Sequence, residues 1–185
     1  MPSNRVKIIV RCEDRQQRSF IYRFLVAKGI NRHDINIENS PGGKGAATQW
    51  VLERYPIEVQ ALRSGPPASE GLISIIDADN CEVEDRKRQH DDAVKQAAQR
   101  SRMKNEKIAI VVPKRNIETW INHFLRAHGN DAPVNEHDNY PKLSGRESDC
   151  APAAEEFARR CPNGLLADHL PSLRDGCAEL QRVIA

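Results

Sequence analysis

Four short apolar runs, each followed by a stretch whose apolar residues recur at helical spacing, constrain this chain's fold more than any other feature. The runs fall at residues 5–11, 34–39, 71–77 and 108–112. After the first, residues 14–29 place Phe20, Ile21, Phe24 and Leu25 on one helical face and Arg15, Arg18 and Arg23 elsewhere, and Gly29 ends the helix. A second helix is expected from Ala46 to Tyr55, limited by Pro56, with a further helical stretch to Arg63. A long charged helix should cover 84–104. Asn116 is placed to cap the next, where Ile117, Trp120, Ile121, Phe124 and Leu125 repeat. Two more are expected near 151–161 and 166–184. Such alternation predicts an α/β domain with a mainly parallel sheet of four or five strands, helices on both faces and a helical C-terminal tail.

Length and composition agree with that architecture. A chain of 185 residues, 39% hydrophobic and 29% charged, can bury the core of one domain and is unlike a disordered chain. Residues 1–128 should form the α/β core, 129–150 a loop insertion poor in apolar residues, and 151–185 C-terminal helices packed on the same domain. A loop of that length signals function or mobility. No apolar run reaches the roughly 20 residues of a membrane span, and Met1–Arg5 leads directly into the first strand, leaving no room for a signal peptide. Cysteines 12, 81, 150, 161 and 177 are odd in number and form no CxxC pair. They read as reduced thiols of a cytoplasmic protein, without zinc-ligand spacing.

The chemistry concentrates where the apolar runs end. Ser74-Ile75-Ile76-Asp77-Ala78-Asp79-Asn80 closes on two aspartates, and in an extended strand Asp77 and Asp79 would project to one side. Glu13 follows the first strand, and Glu118 begins the helix after the fourth. Parallel strands would bring all four acids to one sheet edge, where α/β folds bind ligands and a hard cation would find carboxylate oxygens. The charge is uneven: residues 130–185 hold six Lys and Arg against ten Asp and Glu, a balance of −4, so a net charge of +2 leaves +6 on residues 1–129. Carboxylates set in a basic half suit a polyanion together with a divalent metal.

The order apolar strand–Glu13–helix, then Ile75-Ile76-Asp77-Ala78-Asp79, resembles the Toprim domain of topoisomerases, DnaG-type primases and the overcoming-lysogenization-defect nucleases. Pro113-Lys114-Arg115-Asn116-Ile117-Glu118-Thr119-Trp120 further resembles the arginine–x–x–glutamate–x–tryptophan segment of small standalone Toprim-like proteins from bacterial defence loci. The likeness spans residues 5 to about 125, and the Leu170-Pro171-Ser172-Leu173 helix shares it. It implies a magnesium- or manganese-dependent nuclease acting on DNA or RNA, working with a partner ATPase in phage defence. Glu13 would be the acid/base or a metal ligand, Asp77 and Asp79 metal ligands, and Glu118 an extra catalytic acid. Asp14 stands where the family has glycine, which either preserves a left-handed turn or changes it and abolishes activity. The alternative function is a non-catalytic Toprim-like module that binds a partner protein or nucleic acid.

Plainer readings exist for each residue. Glu13 and Glu118 could serve only to complement helix dipoles, and Asp79 could cap a turn. Ser40–Gly45 lacks the Walker spacing, although Lys44 could meet a phosphate at a helix start, and Arg115 could bind substrate or pair with Glu118. The basic runs Arg86–Arg88 and Arg100–Lys107 are ordinarily solvated faces but could contact a nucleic-acid backbone. Trp50 and Trp120 read as core. Leu166, Leu170, Leu173, Cys177, Leu180 and Ile184 lie near heptad spacing, which suits docking on the domain itself or a homodimer seam.

Overall fold

The computed structural model describes residues 7–42, 46–65, 70–126, 133–167 and 169–185. Strands β1 (Lys7–Cys12), β2 (Ile35–Asn39), β3 (Glu70–Ile75) and β4 (Ile108–Val111) form one sheet in the order β2-β1-β3-β4, and every pairing is parallel. All four strands therefore end at the same edge. The helices are α1 (Arg15–Ala27), α2 (Ala47–Ser64), α3 (Val83–Gln96), α4 (Ile117–Arg126), α5 (Ala151–Arg160) and α6 (Pro171–Ile184).

Strand alternation divides the core in two. Ile8, Val10, Ile73, Ile75, Ala109 and Val111 face one layer, packed with apolar residues of α1, α4, α5 and α6. Ile9, Leu72, Ile76, Ile108, Ile110 and Val112 face the other, where α2 and α3 contribute Val51, Tyr55, Val59 and Val94. Both faces of the central strands are covered, so β1, β3 and β4 read as nearly continuous apolar runs. The expected α/β architecture is what the chain adopts.

Several boundaries differ from expectation. Pro56 does not stop α2, which runs through it to Ser64. Val51, Tyr55 and Val59 share one buried face, and that packing outweighs the hydrogen bond a proline cannot donate. Helix α3 ends at Gln96 rather than near 104, because Ala98 takes a left-handed conformation (φ 56°) and closes it. Helix α6 starts at Pro171 rather than 166, which leaves Leu166 exposed outside it. Of the rest of the anticipated stripe, Leu170, Leu173, Cys177 and Leu180 are buried against the chain's own sheet and helices, and Ile184 is partly buried there.

The thiol expectation is corrected as well. Cys161 and Cys177 form a disulfide joining the end of α5 to α6, while Cys12, Cys81 and Cys150 are free. A pairing 16 residues apart across a helix junction has no motif by which sequence spacing could have exposed it. Of the anticipated loop, residues 129–132 lie outside the described residues. Residues 133–146 contain no helix or strand, and Glu147–Cys150 is a 3-10 turn. Among the described residues, no helix is long and apolar enough to cross a membrane.

Candidate functional site

The site is built where β1 and β3 run out. Asp14 caps α1 with extended backbone (φ −144°), its Oδ1 accepting the Gln17 N–H at 2.9 Å. Of the two outcomes anticipated at this position, the left-handed turn is not adopted, and Asp14 serves as an N-cap. Gln17, fully buried, folds back on the preceding residue: its Oε1 accepts the Glu13 N–H at 2.8 Å and its Nε2 donates to Glu13 Oε2 at 3.1 Å. Glu13 is thereby aimed across the sheet edge, where Oε2 also accepts the Asp77 N–H at 2.7 Å. The Thr48 hydroxyl, from the first turn of α2, donates to Oε1.

Beyond β3 the chain stays extended for three residues. The N–H groups of Ile76 and Ala78 donate to Val111 and Pro113 carbonyls at 3.2 and 2.8 Å, and Ile76 and Ala78 bury on the α2–α3 face. Asp77 therefore points to the opposite face, with Oδ1 buried and lacking any hydrogen-bond partner. Asp79 does not continue that alternation. Its backbone turns left-handed (φ 54°), and its carboxylate lies exposed in an ion pair with Arg86 of α3 at 3.1 Å. Arg115 secures this turn by donating to the Asp79 carbonyl at 3.0 Å and to the Asn80 side chain. It pairs with the turn rather than with Glu118.

Glu118 is buried in the first turn of α4, a helix capped by Asn116 Oδ1, which accepts from Thr119 N–H at 3.2 Å. Its Oε1 also has no partner. The segment after α4 lies against this edge: Asn116 Nδ2 donates to the Tyr140 carbonyl at 2.9 Å, and Lys142 pairs with Asp14 at 3.4 Å. Lys44 lies outside the described residues.

Burial first, and then the neighbouring Glu13, Glu118 and Asp14 charges, hold the Asp77 carboxyl well above the usual carboxylate range. Burial also raises Glu13, against the opposing effect of its hydrogen bonds from Asp77, Thr48 and Gln17. Glu118 is raised by burial and by Asp14. Within the Glu13–Asp77 pair the hydrogen bonds decide where a proton rests. Glu13 accepts three donors that favour its ionised form, whereas Asp77 Oδ1 accepts none and Gln17 alone among side chains opposes its shift, so the upward shift falls chiefly on Asp77.

Glu13, Asp77 and Glu118 thus gather at one edge, while Asp79, whose charge still acts on Glu13, pairs with Arg86 of α3. Gln17, Thr48 and Lys142 were not anticipated. For Gln17 a signal existed, since Asp14-x-x-Gln17 has capping-box spacing. Nothing local marks Thr48 or Lys142, which reach the site through tertiary packing.

Among the described residues, no group of three or more His, Cys, Asp or Glu side chains is arranged to hold a metal ion. The donor chemistry nevertheless suits a hard divalent cation. One buried carboxylate oxygen on each of Asp77 and Glu118 has no hydrogen-bond partner, both carboxyls have raised proton affinity, and magnesium commonly takes one or two carboxylates and keeps its waters. No family model matches the chain, and no curated protein or solved structure shows significant similarity to it.

Proposed function

We propose that this protein is a magnesium- or manganese-dependent phosphoryl-transfer enzyme of Toprim type, a nuclease cleaving phosphodiester bonds in DNA or RNA. The observation carrying this reading is the Glu13 carboxylate on the Asp77 N–H at 2.7 Å, which joins the ends of two parallel strands into one acidic edge. Asp77 and Glu118 would hold the cation, with Glu13 beside them. When bound, such a cation neutralises phosphate charge and lowers the pKa of water. Glu13, hydrogen-bonded yet raised in proton affinity by burial, is suited to take up the proton of an attacking water. Gln17 and Thr48 orient that carboxylate. Asp79, exposed and paired with Arg86, stands outside the two unpartnered oxygens that would hold the cation in this reading.

The same reading includes a cytoplasmic setting, where the nucleic acid lies, and a separate partner ATPase in phage defence. The Cys161–Cys177 bond does not favour a reducing compartment. One observation favours the second, non-catalytic reading: both Glu13 oxygens are engaged by the protein's own donors, as in a purely structural strut. Cleavage of labelled single-stranded and duplex DNA and RNA, with and without magnesium or manganese, separates the two. The enzyme reading expects metal-dependent cleavage that Asp77→Asn and Glu118→Gln abolish and Asp79→Asn reduces less. Metal-independent cleavage, or no cleavage by the native chain together with identical calorimetric titrations of native and Asp77→Asn protein, rejects it.

A further inference from the structure

Helix α1 carries an unusual set of cations. Many basic side chains elsewhere in the chain are already engaged: Arg86 with Asp79, Arg88 with Asp85, Arg100 with Glu106, Arg102 with Glu179, Lys114 with Glu82. The runs at 86–88 and 100–107, which invited a backbone-binding role, are largely consumed by these pairs. Arg15, Arg18 and Arg23 differ. None of their side chains makes an ion pair or hydrogen bond among the described residues, and Arg15 and Arg18 are exposed.

Two cavities flank these arginines and meet at them. One, of about 590 Å³, opens beside Glu13 and is lined by Arg15, Arg18 and Lys142. The other, of about 460 Å³, continues along α1 past Tyr22 and Arg23 to Ile37 of edge strand β2. Arg15, Arg18 and Glu147 line both. Helical spacing explains the continuity, because residues 15, 18 and 22 fall on one stripe and the rise from 15 to 23 is about 12 Å. The charge is graded. Beside Glu13 the acids Glu13, Asp14 and Glu147 offset the cations, whereas along α1 three arginines face Glu147 as the one acid lining that cavity.

We propose that this α1 cleft is a track for single-stranded nucleic acid, leading a phosphodiester backbone toward Glu13. Unpaired arginines supply backbone neutralisation without base preference. Tyr22, half-buried between Arg18 and Arg23, supplies an aromatic face, and only an unpaired base can stack on such a face. A duplex keeps its bases stacked inside and would use the arginines alone. The direction of the track rests on the nuclease reading above, while the binding itself is measured apart from cleavage.

The test is fluorescence anisotropy in EDTA with labelled oligothymidylate, oligouridylate and a hairpin duplex of equal length, across a salt series. Either single strand should bind at least about tenfold tighter than the duplex, and comparison of the first two tells DNA from RNA. Arg15→Ala/Arg18→Ala/Arg23→Ala should weaken binding by tenfold or more and lower the salt slope by about 2, at roughly 0.7 per lost phosphate contact. The matching triple lysine variant should keep the slope. Tyr22→Leu should cost about tenfold on single strands and leave the duplex unchanged. Unaltered melting temperatures show that the variants fold, and alanines at exposed Lys95, Lys104 and Arg174 control for net charge. No single-strand binding by the native chain, equal binding of the duplex, or equal losses in the control variant overturns the track. Because binding is read in EDTA, a native chain that binds single strands yet cleaves none of them with added magnesium or manganese leaves the track standing while the nuclease reading fails.

Discussion

Asp77 bears the sharpest local conflict: its carboxyl is sequestered beside two other acids, with one oxygen unpartnered. Its folded-state pKa lies above the unfolded value, so the native state binds the extra proton in the window between them. The stability this contributes is complete below about pH 4, the ordinary carboxylate range, and is lost as pH rises through the raised value. Asp77→Asn replaces the acid by a neutral group of the same shape. In metal-free protein the variant should match the native chain near pH 4–5 and exceed it near pH 8 by on the order of 1 kcal/mol, a few degrees in Tm. A Tm difference independent of pH would contradict the raised proton affinity of Asp77. His90 titrates with the opposite sign. Burial lowers its pKa to about 4, its Nε2 lies 2.8 Å from Ser74 Oγ, and its Nδ1 lies 2.8 Å from the Arg86 carbonyl. A depressed folded value means its contribution is present above about pH 6.5 and lost as pH falls toward 4. Its ring-proton resonance should therefore stay at the neutral position from pH 8 to pH 5, and movement near pH 6.5 would refute this. At this scale the sequence was informative about which acids meet, because strand ends in a parallel sheet are forced together. It was silent on side-chain direction, which at Asp79 depends on one backbone torsion.

Elements were legible wherever a single period dominated. The four strands and the cores of α1, α4 and α5 follow from apolar spacing, since burying those faces is what stabilises them. The misplaced ends have tertiary causes. Helix α2 passes Pro56 because its buried face continues on both sides, with Gln99 Nε2 donating to the Pro56 carbonyl at 2.9 Å. Helix α3 stops early although its charged sequence could extend, because the chain must turn back to enter β4. There Arg102 leaves the helical path to meet Glu179 of α6 and the Ile108 carbonyl at 3.0 Å. Helix α6 shows how tightly such packing is tuned. A Cβ on Gly176 would sit 2.3 Å from Cη2 of the fully buried Trp120, whose Nε1 donates to Ser172 Oγ at 3.0 Å. Gly176→Ala should destabilise by about 1–3 kcal/mol through overpacking, read as a lower urea midpoint at unchanged slope. Adding Trp120→Phe removes the clashing atom, so the double variant should lose less than the two single losses combined. Additivity would place the cost elsewhere.

On the scale of the whole molecule, the C-terminal pair α5–α6 closes the face of the sheet opposite α2 and α3, and it is fastened in two ways. Glu179, nearly buried, accepts the Ile110 N–H at 3.0 Å and both Arg102 nitrogens, which ties α6 to β4. The Cys161–Cys177 disulfide ties α6 to α5. Phe157 of α5 packs against Phe20, Phe24, Trp120 and Phe124, so what restrains this pair also restrains α1 and α4, the two helices that present Asp14, Gln17 and Glu118 to the site. Closing a loop of 16 residues should lower the entropy of the unfolded chain by an amount worth about 3 kcal/mol. Cys161→Ser/Cys177→Ser should lose about that much in denaturant unfolding, and reductant should cost the native chain a similar amount while leaving the variant unmoved. Since the bond acts mainly on the unfolded state, the metal binding proposed at Asp77 and Glu118 should persist in the variant at temperatures well below its Tm. Parallel loss of metal binding and stability under those conditions would instead mean that the disulfide shapes the native acidic edge through α1 and α4.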